Sequence, residues 1–164
     1  MGQRRWIAGA TFVSTIGVAA AQQGLPPAKQ ITADAGLTAA RAAIKACNDQ
    51  NYRVSVAVVD ADGVLKVQIR GDGVGPHSLD SSRQKAYTAA TFKRASSDVE
   101  KGFRDRPERD LQRLPSVLLV AGGVPIVAGE DVVGAIGVSG APGGDRDEAC
   151  AKAGVDAIKD ITSK

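Results

Sequence analysis

The sequence predicts an α/β domain built on a mostly antiparallel, five-stranded sheet with helices on its faces. Three observations carry that expectation. An unbroken β-branched run, Val54 to Val59, is followed across Asp60-Ala61-Asp62-Gly63 by an alternating one, Leu65-Lys66-Val67-Gln68-Ile69-Arg70, the patterns of a central and a half-solvated strand. Three more short apolar runs, Val117 to Val120, Val124 to Ala128 and Val132 to Val138, are divided by Gly122-Gly123 and Gly129-Glu130-Asp131, as strands joined by tight turns are. Stretches with helical spacing lie before, between and after these two sets, so the order is α-β-β-α-(α)-β-β-β-α. Short links between successive strands make neighbours antiparallel and leave the faces to the helices.

Taken in order, the chain opens on Arg4-Arg5 and an apolar run of 13 residues, Trp6 to Val18, ending in Ala19-Ala20-Ala21-Gln22. A charged start, a short apolar core and small residues at its end form a secretory signal peptide over residues 1–21. The run is shorter than the ~20 residues that cross a bilayer. The other reading is a buried N-terminal helix, and the arginine pair also admits a twin-arginine signal, although its flanks suit the general secretory route better. Residues 22–31, with Pro26-Pro27, read as an unstructured leader. Residues 32–164 then form one domain.

A helix starts at Thr32, whose hydroxyl can cap it, and runs to about Asn48. After the first hairpin, whose Gly63 can take the positive φ of its turn, Gly71 to Pro76 lead into a helix from about Leu79 to Arg94. Its Ala86, Ala89 and Ala90 let it lie close to a sheet. The last helix carries Asp145 and Glu148 at capping-box spacing. The preceding Gly140-Ala141-Pro142-Gly143-Gly144 loop could form an anion nest, but Asp145, Asp147 and Glu148 already supply negative charge there, which favours a capping loop.

Composition excludes several classes of function. Removing 21 residues from 164 leaves 143, enough for one core. Losing Arg4 and Arg5 leaves 19 basic residues against 18 acidic, a net charge of +1. Nucleic-acid binding lacks its basic face, and Arg104 to Arg113 interleaves arginines with Asp105, Glu108 and Asp110. No Ser-His-Asp set and no second histidine serve hydrolysis or a catalytic metal. The two cysteines have no C-x-x-C spacing. Cys47 sits on a stripe of Leu37, Ala40, Ile44 and Cys47, and Cys150 on one of Cys150, Ala153, Ala157 and Ile161, so both face the core. In an exported chain they are expected to pair; two separate buried thiols are the alternative.

Three segments carry a resemblance. They are Val54 to Gly63, the helix Ser82-Arg83-Gln84-Lys85-Ala86-Tyr87-Thr88-Ala89-Ala90-Thr91-Phe92, and Gly122-Gly123-Val124-Pro125-Ile126 followed by Gly134-Ala135-Ile136-Gly137-Val138-Ser139-Gly140 and Asp147-Glu148. As a series, spanning nearly everything after Ile31, they resemble the GlcG/HbpS family of small haem-binding proteins with a haem-degrading domain name. The resemblance implies a profilin-like α/β/α sandwich, haem as cofactor, and a homo-oligomer that binds haem more than it degrades it, while the leader pattern makes it periplasmic or secreted. Haem iron takes histidine, cysteine, methionine or tyrosine. With that implied, His77, the single histidine, is the expected iron ligand in a glycine-proline loop, with Arg83 or Lys85 near a propionate and Tyr87 flanking the ring. The plainer readings are a solvent-exposed loop histidine, and a Lys85 whose stem covers apolar surface while its ammonium reaches solvent or a helix end. A second reading of the whole chain is a non-enzymatic, oligomeric sensory or interaction module that binds another small ligand or a partner protein.

Overall fold

The structure, a computed structural model, describes residues 29–104, 106 and 110–162. The signal peptide and most of the leader lie outside the described residues. Ile31, assigned to the leader from sequence, belongs to the domain: it is buried, and its N–H donates to Val133 O at 2.8 Å.

Helix α1 (Ala33–Asn48) begins where Thr32 Oγ1 accepts from Ala35 N at 3.2 Å, satisfying one of the donors a helix start leaves free. Strands β1 (Ser55–Asp60) and β2 (Leu65–Arg70) form the expected hairpin, β1 buried throughout and β2 alternating toward solvent. The Asp60 carboxylate closes the turn by accepting from Asp62 N at 3.1 Å and Val64 N at 2.9 Å, and Gly63 takes φ +79°. Helix α2 (His77–Phe92) and helix α3 (Ser96–Arg104) follow, then a 3₁₀ turn at Asp110–Arg113. Strands β3 (Gly123–Ala128) and β4 (Asp131–Ser139) and helix α4 (Gly144–Asp156) come next, with a last helical turn, α5 (Lys159–Thr162).

The sheet has four strands in the order β2-β1-β4-β3, every neighbour antiparallel. The expected fifth strand, Val117 to Val120, is irregular chain bonded to α2 and α3 instead. Its backbone is bonded by side chains: Leu118 N donates to Thr88 Oγ1 at 2.9 Å, and Ser96 Oγ donates to Val120 O at 2.7 Å. With those groups already satisfied by helices, the segment has no need of a strand neighbour. The α/β/α layering stands: α1 and α4 cover one face of the sheet and α2 the other.

The main core lies between the sheet and the α1–α4 pair, where Val56, Val58, Ile136 and Val138 meet Ala39, Ala40 and Ala43. Two glycines let α2 sit directly on the opposite face. A β-carbon at Gly137 would run into Ser82 O and the Ala86 backbone, and one at Gly123 into Lys85 O. The alanine-rich helix and the glycine-rich strands are therefore one device for close backbone approach.

Two sequence expectations about helix ends are corrected. Helix α2 starts at His77, two residues early, with Pro76 as its N-cap; proline's fixed φ suits a helix start. The expected capping box of α4 does not form: Gly143 is the N-cap and no side chain caps it. Helix α4 also ends at Asp156, so Ile161 is 55% exposed and Ile158 takes the buried place the apolar stripe gave to it.

Candidate functional site

Helix α2 carries the four residues singled out from sequence, and the helical repeat decides where each goes. At 3.6 residues per turn, His77, Arg83 and Tyr87 belong to the outward half of the helix, and His77 and Tyr87 are separated by about 15 Å along its axis. Lys85 faces inward. The structure thus spreads three of the four along an outer face and removes the fourth from it.

His77, expected in a flexible loop, is the first residue of the helix and is exposed. Its ring folds back over Gly75: a β-carbon there would stand 2.7 Å from Cε1. Arg83 is half-buried and donates from Nη1 to Ser116 Oγ at 3.3 Å. Ser116 itself holds φ +68°, an uncommon conformation for a residue with a β-carbon. The half-buried Tyr87 ring lies over the hairpin turn, with Cδ2 at 2.8 Å from where a β-carbon of Gly63 would be.

Lys85 is 3% exposed, and its ammonium reaches neither solvent nor a helix end. Nζ donates to Asp147 Oδ2 at 2.7 Å and to Val138 O at 3.1 Å. The other oxygen of Asp147 accepts from Ala141 N at 2.9 Å. One buried carboxylate therefore ties α2 and β4 to the Gly140–Gly144 loop. It also fills the place an outside anion would take in that loop. Burial holds the Asp147 carboxyl above its ordinary value, opposed by the Lys85 hydrogen bond and charge and by the Ala141 N–H, while the Asp145 charge adds to the rise. Such a lysine is a paired cation. Two of its three N–H donors are committed to Asp147 and Val138, and burial keeps the third from the outer face of the helix.

The cysteines pair. Cys47 on α1 and Cys150 on α4 are bridged with a Cα–Cα distance of 5.5 Å, within the range such bonds need. Thiolate ligation is thereby closed to both residues. Among side chains that bind haem iron, His77, Tyr52 and Tyr87 remain in the described domain, and His77 is the exposed one. That donor set fits a haem held through an imidazole.

Sequence reasoning missed a second cluster. Tyr52 and Arg53 precede β1, and the Arg146 guanidinium of α4 stands 5.3 Å over the Tyr52 ring. Nothing in local spacing relates Arg146 to Tyr52. The two meet because the disulfide and helix packing set α4 beside the end of α1.

A model of the family "Haem degrading protein HbpS-like" matches residues 31–156. Protein GlcG of Escherichia coli K12 is 35% identical over 89 residues, which is 54% of this chain and 66% of that protein; the chain thus spans just under two thirds of that relative's length. The crystal structure of HbpS is 41% identical with a TM-score of 0.80, covering 86% of this chain and 99% of that one. A double mutant of Streptomyces reticuli HbpS is 39% identical with a TM-score of 0.78, covering 92% and 98%. The PduOC haem complex, 22% identical with a TM-score of 0.71 over 79% and 96%, shares the fold.

Proposed function

Since the chain belongs to the haem-degrading HbpS-like family, we propose that it is an exported haem-binding protein with at most weak haem-degrading activity. The observation that carries this reading is the likeness to HbpS over nearly the whole of that chain, joined to an exposed imidazole at the start of α2. On this reading His77 is the iron ligand, Arg83 meets a propionate, and Tyr87 flanks the outer face of the helix. A bound haem would supply the iron that the His77 imidazole would hold. The chain's own part is to present the His77 ring, which Gly75 leaves free to turn.

A haemin titration tests it. His77→Ala should shift the Soret band and weaken binding about tenfold or more, as losing a metal ligand does. Arg83→Ala should weaken binding with the band unmoved. Gly75→Ala, which forces the His77 ring from its resting place, should change affinity while leaving a histidine-ligated spectrum. An unchanged spectrum and affinity in His77→Ala would remove the ligand assignment and move attention to Tyr87.

Export is supported by the leader pattern and by the disulfide, which persists in oxidising compartments. We expect intact-mass measurement of periplasmic or secreted protein to give a chain beginning at Gln22. Retention of residues 1–21 would overturn the localisation.

The second reading, an oligomeric sensory or interaction module without haem, draws on Val64 and Leu65, 60% and 41% exposed at the β1–β2 hairpin. Neighbouring exposed apolar side chains suit contact with another copy. If the wild type shows no saturable haemin binding but sediments as a defined homo-oligomer, this reading leads.

A further inference from the structure

Two hollows meet at Asn51, Tyr52 and Arg53, on the side of the molecule where α1 ends and α4 begins. We propose that together they form a binding site for a planar aromatic monocarboxylate, distinct from iron ligation at His77 and built around Arg53, with Arg146 standing over the Tyr52 ring that lines both hollows.

The smaller hollow, about 300 Å³, is walled by Gly73, Gly75, Gly140 and Pro142 around Tyr52 and Arg53. The Arg53 guanidinium lies against the Gly73 wall, on ground that a β-carbon there would take. The larger, about 530 Å³, adds Ile44 and Ile69 as an apolar floor and Asp72 on its rim. Both sizes fall within the several hundred Å³ of small-molecule sites.

The charges assign the ligand's polar end. Arg53 and Arg146 are exposed, and among the described residues neither has a carboxylate partner. Arg53 Nη1 reaches only Asp72 O, at a long 3.4 Å, leaving most of its five donors free. Arg146 lies over the Tyr52 ring, which orients its planar fork without using its N–H groups. A carboxylate is the group that such forks take two bonds at a time. Arg70, also on the rim of the larger hollow, is committed: Nε and Nη2 donate to Val74 O at 3.2 and 2.6 Å.

The same charges exclude a highly charged ligand. The Asp72 carboxylate on the larger hollow would repel a second anionic group extending into it. The carboxylate therefore sits by Arg53, on the Tyr52 side where Arg146 stands, and an uncharged, flat body lies toward Ile44 and Ile69. Asp147 supports the arrangement at one remove, since its bond to Ala141 N fixes the loop that supplies Gly140 and Pro142, while the preceding residue of the same turn is Arg146.

The test is a ¹H–¹⁵N titration of the apo protein with naphthalene-2-carboxylate, naphthalene-2-carboxamide and inorganic phosphate. Saturable shifts are expected at the amides of Tyr52, Arg53, Gly73 and Gly140 with the acid, with binding of the uncharged amide weaker by about tenfold or more, the worth of a charged hydrogen bond. Arg53→Gln and Arg146→Gln should each weaken the acid about tenfold with unchanged melting temperature. Arg146→Lys should restore little, since an ammonium lacks the fork. Arg83→Ala, which the haem reading expects to weaken haemin binding, should leave acid binding within about twofold, which separates this site from the haem reading whichever of the two fails. Absence of saturable shifts, equal affinity for acid and amide, or phosphate binding as tightly as the acid would each overturn the proposal.

Discussion

Lys85→Met should cost about 3–5 kcal/mol of folding stability, the penalty of stranding one member of a buried ion pair. Asp147 would keep its bond to Ala141 N but lose its counter-ion in a place that water does not reach, and Val138 O would lose its donor. Urea unfolding followed by circular dichroism measures the loss. The double variant Lys85→Met/Asp147→Asn should recover part of it, because a neutral amide keeps an acceptor for Ala141 N while removing the orphaned charge. If Lys85→Met unfolds within about 1 kcal/mol of wild type, the pair is solvated and its structural role falls.

The pH dependence of that variant has a definite sign. Burial already raises the Asp147 carboxyl above its ordinary 3.8 in the fold, and Lys85 supplies the leading opposition. Removing the lysine raises it further. A carboxyl whose folded value exceeds its unfolded one binds more protons when folded, so its contribution is fully present below the unfolded value and is lost as pH rises through the folded one. The deficit of Lys85→Met relative to wild type should therefore be greatest at neutral pH and shrink on acidification toward 4. A deficit constant with pH would mean that packing, not the stranded carboxylate, sets the cost.

How much of this was legible in the chain depends on the range of the interaction. Local signals read correctly: the Thr32 cap, the β1–β2 hairpin with Gly63, and the burial of β1 against the solvation of β2 each follow from neighbouring residues. The disulfide was legible too, since each cysteine lies on an apolar stripe of its own helix. The stretch Val117 to Val120 misled because strand propensity records an apolar, β-branched surface, whereas Thr88 and Ser96, distant in sequence, satisfy its backbone. The Lys85–Asp147 pair, 62 residues apart, was invisible for the same reason. In the sequence Asp147 is one of three acids in a helix start, and only the close approach of α2 over Gly137 and Gly123 brings the lysine to it. The resemblance singled out residues of α2 but not their directions, which the helix phase decides.

Replacing both Cys47 and Cys150 by alanine should lower stability by about 2–5 kcal/mol while the fold and haemin binding survive. The bridge joins residues 103 apart, so it restrains nearly the whole domain in the unfolded chain, and the chain-entropy account gives long loops the larger effect. Its neighbours argue that the native state does not need it for shape: α1 and α4 already pack through Ala39 and Ala43 against Gly154, where a β-carbon would stand 2.7 Å from Ala39 O. Both sulfurs are buried, at 0% and 1% exposure, so alanine also leaves small cavities that add to the cost. Reduction of the wild type by dithiothreitol changes no side-chain size beyond the bond itself, and comparison of the two separates the terms. The reduced protein should lie between the wild type and the double alanine variant in urea midpoint, with an unchanged far-ultraviolet spectrum. A reduced wild type as stable as the oxidised one would show that the bridge does not restrain the unfolded chain as a closed loop of this length should. Since neither sulfur takes part in holding iron on the present reading, an altered Soret band in the double variant would instead point to coupling between the α1–α4 layer and His77 across the sheet.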